Sequence, residues 1–313
     1  MANTFQRDFK GIGWSMNGSV PLRRRIRSTL FGTPGRMGLL KRVFVYSMLI
    51  ILAIAFALPL YWMIATALKP FDQIFSIPLQ WFPNPVMWSN FPDATRVRGA
   101  PLPLCIWNTV KYTVCGVIGT TLSSALVAYA FARLEFPGKR MLFMLILSTL
   151  MIPFAVVMVP QFIIWHRLGW LDTLKPLMIP PWFGGAFNIF LLRQFFLTIP
   201  KEYDEAALID GASRWDIFWR IIVPLSKPAL ATVAVFAFVY YWNDFLAPLI
   251  IISSEKNFVL TLYLANFRLP FIGPIQWNLY MAAATMFLVP CLIVFFFAQR
   301  LFVQGIVITG IRR

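Results

Sequence analysis

Six apolar runs, at 43–67, 105–132, 141–165, 177–197, 228–252 and 279–302, dominate this chain. Each is close to or longer than the stretch of about 20 residues with which an α-helix crosses a hydrocarbon core of about 30 Å. The run at 177–197 is the least regular, because Pro180, Pro181, Gly184 and Gly185 interrupt it. Apolar residues make up 59% of the chain and charged ones 13%, against roughly 45–50% and 25% in a soluble domain. The expectation is an all-α, polytopic membrane protein with six transmembrane helices.

Orientation follows from the basic residues. With the N-terminus inside, the segments between runs place 20 of the 28 Lys/Arg on the cytoplasmic side, so the positive-inside rule puts both termini in the cytoplasm. The formal net charge of +16 is then a property of cytoplasmic loops, and nucleic acid is not implied as a partner. Residues 1–42 form a basic segment, with Arg23, Arg24, Arg25 and Arg27 and then Lys41 and Arg42 around Gly32, Pro34 and Gly35. Membrane lipids with anionic headgroups are its simplest partner. The segment is too long for a cleavable signal, so the first run is expected to stay in the mature protein. Residues 43–104 then hold the first span and an outer loop, 105–302 a five-span core, and 303–313 a cytoplasmic tail.

Few residues carry reaction chemistry. Cys105, Cys115 and Cys291 all sit in apolar runs, and the first two would lie about 15 Å apart along a helix, too far for a disulfide. His166, the only histidine, stands beside Arg167 at an expected membrane boundary. A metal site or histidine-based catalysis is not indicated, and there is no phosphate-binding loop, so ATP is not expected to bind this chain.

One polar island breaks the second half, KEYDEAALIDGASRWDIFWRIIVP at 201–224. Pro200 suits a first helical turn, and Glu202, Asp204 and Glu205 place negative charge at the positive end of the helix dipole. Gly211 can end that helix in a left-handed conformation, and Ser213 with Asp216 has capping-box spacing for a second one. The prediction is helix, tight turn, helix, with Ala206 and Ala207 small enough for the backbone to approach another protein. An ordinary amphipathic loop helix is the plainer alternative.

Within the spans, Gly116, Thr120, Ser124 and Ala128 repeat every four residues, a small-residue face for close helix packing. A carboxylate at membrane depth is costly and normally faces a bundle interior or a water-filled path. Asp244, in Trp242-Asn243-Asp244-Phe245, is such a group, about 24 Å along its helix from Pro228. It either bonds a broken backbone near Pro248 or lines a translocation route, and sequence does not choose. Asn243, Thr120, Ser124 and Asn188 are further route candidates. Gln276, Trp277, Asn278 and Tyr280 lie at the outer mouth of the last span, as interfacial anchors or as contacts for solute or a docked protein.

Glu205-Ala206-Ala207, Gly211 and Ile221-x-Val223-Pro224 resemble the EAA loop of ABC importer permeases, with Val223 where the family usually has Leu. ARLEFPGKR at 132–140, LLRQFF at 191–196, IPKEYDEAALIDGAS at 199–213, VPLSKPALA at 223–231, WNDF at 242–245 and QRLFVQG at 299–305 are similar, in order, to the second permease subunit of maltose-type carbohydrate importers. The resemblance implies a type I importer permease fold in a prokaryotic cell membrane. It also implies a second homologous permease, two ATP-binding subunits carrying ATP and Mg, and an extracytoplasmic solute-binding protein. The ATPase-coupling residues it implies are Glu205, Ala206, Ala207, Asp210, Gly211, Ile221 and Pro224, within 199–224, and the tail from Thr309 to Arg313 would reach the ATPase interface. The chain would have no catalytic site and bind no cofactor, and the solute would be a sugar. Alternatives are a non-sugar solute such as a phosphorylated polyol or a peptide, an intramembrane transferase using Asp244, and a passive channel, which gives the loop no role.

Overall fold

A computed structural model describes residues 32–33, 36–96, 101–267 and 275–310, with side chains from Gly38 to Gln299 within those ranges. The Arg23–Arg27 cluster and the last three residues of the tail lie outside the described residues, as do the side chains of the QRLFVQG block beyond Gln299. The chain divides at Trp62 into two units. The first holds a two-residue antiparallel pair, β1 (Gly32–Thr33) with β2 (Arg36–Met37), and most of α1 (Leu39–Ala67). The second, from Met63 onward, contains helices and no strand among the described residues.

Its elements are α2 (Asn90–Ala94), α3 (Leu102–Arg133), α4 (Lys139–Ser148), α5 (Phe154–Arg167), α6 (Lys175–Met178), α7 (Ala186–Phe196), α8 (Glu202–Ile209), α9 (Arg214–Ile217), α10 (Lys227–Asn243), α11 (Leu246–Ile251), α12 (Leu260–Asn266) and α13 (Trp277–Gly310). Three helices are long and apolar enough to cross a membrane alone: α1, α3 and the Trp277–Gln299 part of α13. Counting the bent pairs Lys139–Met151 with Phe154–Arg167 and Arg214–Leu225 with Lys227–Asn243 as one span each gives five.

Three of the six apolar runs are therefore not straight helices. The run at 141–165 turns by 99° at Pro153, where the preceding Ile152 is extended (φ −85°, ψ 113°) as a residue before proline must be. The run at 177–197 is a short 3-10 turn, Pro180–Phe183, then Gly184 at φ +83°, then the 11-residue α7. At 1.5 Å per residue α7 covers about 16 Å, half a bilayer core. The run at 228–252 breaks at Asp244, where the backbone goes extended (φ −65°, ψ 123°), and not at Pro248.

The long helix α3 is the axis of this unit and packs along both α7 and α10. Its stripe of Gly116, Thr120, Ser124 and Ala128 is buried, and a Cβ on Gly116 would sit 2.5 Å from the Tyr241 ring of α10. With lipid outside instead of water, such close contact is what holds helices together. Near the C-terminal end of α3, Ala125, Tyr129 and Ala132 form one core with Leu192 and Phe196 of α7, Val233 of α10, and Ile217, Phe218 and Ile222 of the polar island. A second core, at the other end of α3, joins Leu102 and Cys105 to Trp242, Tyr263 and Ala282. All three cysteines are free thiols.

Candidate coupling loop and membrane cavity

The polar island folds as its local signals dictate. Three acidic residues occupy the first turn of α8. The helix ends through Gly211 at φ +80°, with the Gly211 and Ala212 N–H groups donating to Leu208 O (3.1 Å) and Ala207 O (2.9 Å). Ser213 caps α9: its Oγ accepts from the Asp216 N–H at 3.1 Å, and Asp216 Oδ2 accepts from the Ser213 N–H at 3.1 Å. Hydrogen bonds from the Ser213 hydroxyl and N–H, assisted by Arg220, hold the Asp216 carboxyl below its ordinary range. A π-turn, Phe218–Ile222, and a short helical turn, Val223–Leu225, then lead to α10.

This hairpin is fixed on one side and open on the other. Ile217, Phe218 and Ile222 are at most 1% exposed, the Tyr129 and Phe218 rings meet at 5.1 Å, and the Tyr129 hydroxyl donates to Arg214 O at 3.0 Å. The Arg133 guanidinium, at the last residue of α3, donates to Ile199 O (2.7 Å) and Phe196 O (2.9 Å) beyond and within the end of α7. It also faces Asp204 of α8 across 3.8 Å. Of the residues expected to meet an ATPase, Glu205, Ala206, Asp210, Gly211 and Pro224 are exposed, Ile221 is half-buried, and Ala207 is turned into the core. Ile209, 86% exposed, and Trp215, 58% exposed, add an apolar edge beside Gly211 that the spacing argument did not single out. Nor did it find Arg133 and Asp204, which no local pattern links.

Between α3, α5, α7 and α10 lies a cavity of about 550 Å³ lined by Tyr112, Thr120, Gln161, Trp165, Asn188, Tyr240, Tyr241 and Asp244 among others. Thr120, Asn188 and Asp244 thus meet there. Ser124 and Asn243 do not: Ser124 is buried behind the wall, accepting from the Gly185 N–H at 3.3 Å, and Asn243 is exposed and donates to Val239 O within its own helix. Tyr112, Tyr240 and Tyr241 were not anticipated, although Tyr240-Tyr241 stands directly before the WNDF block.

Asp244 holds this region together. Its Oδ2 accepts from the Tyr112 hydroxyl at 2.7 Å and its Oδ1 from the Ala247 N–H at 3.4 Å, while its carbonyl accepts from Thr261 Oγ1 at 2.7 Å. The carboxylate therefore caps the break between α10 and α11 and also faces the cavity. The Thr120 and Tyr241 hydroxyls share a hydrogen bond of 2.7 Å. Among the described residues no Lys or Arg lines the cavity. At the other expected mouth, Asn278 points inward and donates to Asn90 Oδ1 of α2 at 3.2 Å. Among the described residues no three His, Cys, Asp or Glu are grouped as a metal site would require.

A helical membrane bundle carrying a rigid, half-exposed hairpin is the architecture of an importer permease driven by separate ATPases. Residues 119–308 match the family of binding-protein-dependent transport system inner membrane components, and the chain belongs to that family. It is 35% identical to the sn-glycerol-3-phosphate transport system permease protein UgpE of Yersinia enterocolitica, over 85% of this chain and 95% of that one. It is 32% identical to the diacetylchitobiose uptake system permease protein DasC of Streptomyces coelicolor, over 82% and 92%. A chain of a bacterial ABC transporter that imports the acidic polysaccharide alginate superposes with a TM-score of 0.73 at 25% identity, over 85% of this chain and 98% of that one.

The chain is accordingly an ABC-importer permease subunit, a multi-pass protein of the prokaryotic cytoplasmic membrane. It works with a second permease, two ATPase subunits and a solute-binding protein. It has no catalytic role of its own, and ATP and Mg belong to the ATPases.

Proposed function

We propose that this subunit moves a polyhydroxylated solute by alternating access, with the hairpin at 199–224 as the lever on which the ATPases act. The observation that carries this reading is the hairpin itself: locked by Ile217, Phe218 and Ile222 to α3, α7 and α10, yet exposed at Glu205, Ala206, Ile209, Asp210 and Gly211. A rigid element of this kind transmits displacement, and a switch needs contacts that differ between two states. Six membrane passages are counted by taking α4 with α5, α6 with α7, and α10 with α11 as bent or broken spans, with residues 1–42, the hairpin and the tail in the cytoplasm. The core at 105–302 then carries the route, with Thr120, Asn188 and Asp244 on its wall and Asn243 and Ser124 behind or beside it.

For the solute, the relative at 35% identity that transports sn-glycerol-3-phosphate favours a phosphorylated polyol. Tyrosine, threonine, glutamine and asparagine on the cavity wall suit hydroxyl groups. With Asp244 present and no Lys or Arg on that wall, the phosphate faces the partner permease. A neutral oligosaccharide is the second reading, favoured by the same cation-free lining and by the diacetylchitobiose relative. The test is ATP hydrolysis by proteoliposomes containing this chain, its partner permease, the ATPases and the binding protein. Glycerol phosphate is expected to stimulate turnover; stimulation by neutral oligosaccharides alone would move the assignment to the second reading.

A further inference from the structure

The buried pair of Arg133 and Asp204 is made incompletely, and that incompleteness is informative. The Arg133 side chain is 2% exposed and that of Asp204 9%. In such surroundings a guanidinium and a carboxylate normally form two parallel hydrogen bonds at about 2.7–2.9 Å. Here the closest approach is 3.8 Å, and both Arg133 Nε and Asp204 Oδ1 are buried without a hydrogen-bond partner. The other face of the guanidinium is fully engaged, donating to Phe196 O and Ile199 O, where carbonyls at the end of α7 concentrate negative charge. One planar cation therefore touches three elements: α3, which ends in it, the end of α7, and α8 of the hairpin. Both α3 and α7 reach the cavity, through Thr120 and Asn188.

We propose that Arg133 and Asp204 form the joint through which movement of the hairpin reaches the cavity walls, open in this conformation and closing to a charge-assisted hydrogen bond when the ATPases shift α8. Closure needs a displacement of about 1 Å, which brings Arg133 Nη1 and Asp204 Oδ2 from 3.8 Å into bonding range. A buried charge pair left half-made is costly, so the contact differs in free energy between the two states, as a coupling element requires. Arg133 is a positioning residue: it meets neither solute nor nucleotide. Lysine in its place keeps the charge but not the planar set of donors that bonds two carbonyls on one side and meets the carboxylate on another.

This inference rests on reading the 199–224 hairpin as the ATPase lever, and the experiment separates the two. Arg133→Lys, Asp204→Asn, the double variant and Ile209→Asp are assembled with the ATPases, partner permease and binding protein in proteoliposomes. Solute moved per ATP hydrolysed is measured per assembled complex. The single joint variants are expected to assemble and to hydrolyse ATP at the basal rate, but to move about tenfold less solute per ATP. The double variant is expected to lose no more than either single one, since the two groups act as a unit. Ile209→Asp, at the exposed edge, is expected to lose the ATPases themselves. If Ile209→Asp behaves so while the joint variants keep the wild-type ratio, or only reduce the amount of complex, the joint is wrong and the lever stands. If Ile209→Asp leaves assembly and coupling intact, the lever reading falls and takes the joint with it.

Discussion

Gly211 shows how narrow a requirement one residue can meet. Its φ of +80° is a conformation that L side chains rarely adopt, and no atom lies within 4 Å of the place a Cβ would occupy. A substitution there therefore meets backbone strain and no packing penalty. Gly211→Val is expected to cost the hairpin about 1–2 kcal/mol and Gly211→Asn clearly less, since asparagine visits the left-handed region more readily. Limited proteolysis of the hairpin in inside-out vesicles, ranked Val above Asn above wild type, checks the order. This turn and the Ser213–Asp216 cap were legible in the sequence because their causes are local, a glycine and two residues at fixed spacing. The Arg133–Asp204 pair was not, because nothing in a span end or an acidic first turn says which partner it will face.

At the scale of the element, apolar length located every run, but it did not say which would be straight. Glycine before α7 acts where expected and Pro153 breaks the chain before α5, whereas α10 stops at Asp244 because a carboxylate offers the chain an alternative hydrogen bond, that to the Ala247 N–H. The Tyr112 hydroxyl that completes the site comes from 132 residues away, beyond the reach of any periodicity. Asp244→Asn keeps Oδ1 as the acceptor for the Ala247 N–H and turns its NH2 toward the Tyr112 hydroxyl, which can accept from it, so both contacts persist with one reversed. Asp244→Leu removes both bonds and strands a buried hydroxyl, a loss of about 1–3 kcal/mol. Thermal unfolding of the purified complex in detergent should therefore place Leu well below Asn, and Asn close to wild type. Equal effects of the two substitutions would show that the break is held by other contacts.

At the scale of the whole molecule, two segments that join spans are tied to each other across 81 and 82 residues of chain. Asp172, between α5 and α6, accepts from the Ser253 and Ser254 N–H groups (3.0 and 2.7 Å) and from the Ser254 hydroxyl, while its carbonyl accepts from Asn257. The Ser254 bonds, first the hydroxyl and then the N–H, lower its carboxyl to about 2 from 3.8. A depressed folded-state value means stabilisation that is complete above the unfolded value and fades as pH falls from about 4 towards 2. Protease protection of the 252–258 segment is expected to persist at pH 5 and weaken near pH 3. Asp172→Asn should be less protected at pH 5 and change little between the two.

The interrupted stretch from Pro180 to Gly185 has a wider consequence. It gives the cavity two prolines and two glycines, and its free peptide groups are answered by neighbours, Ser123 donating to Pro181 O and Ser124 accepting from the Gly185 N–H. A rim built of main chain offers no side chains to retune. A change of cargo by substitution is thereby left to the few tyrosine, tryptophan and amide positions opposite.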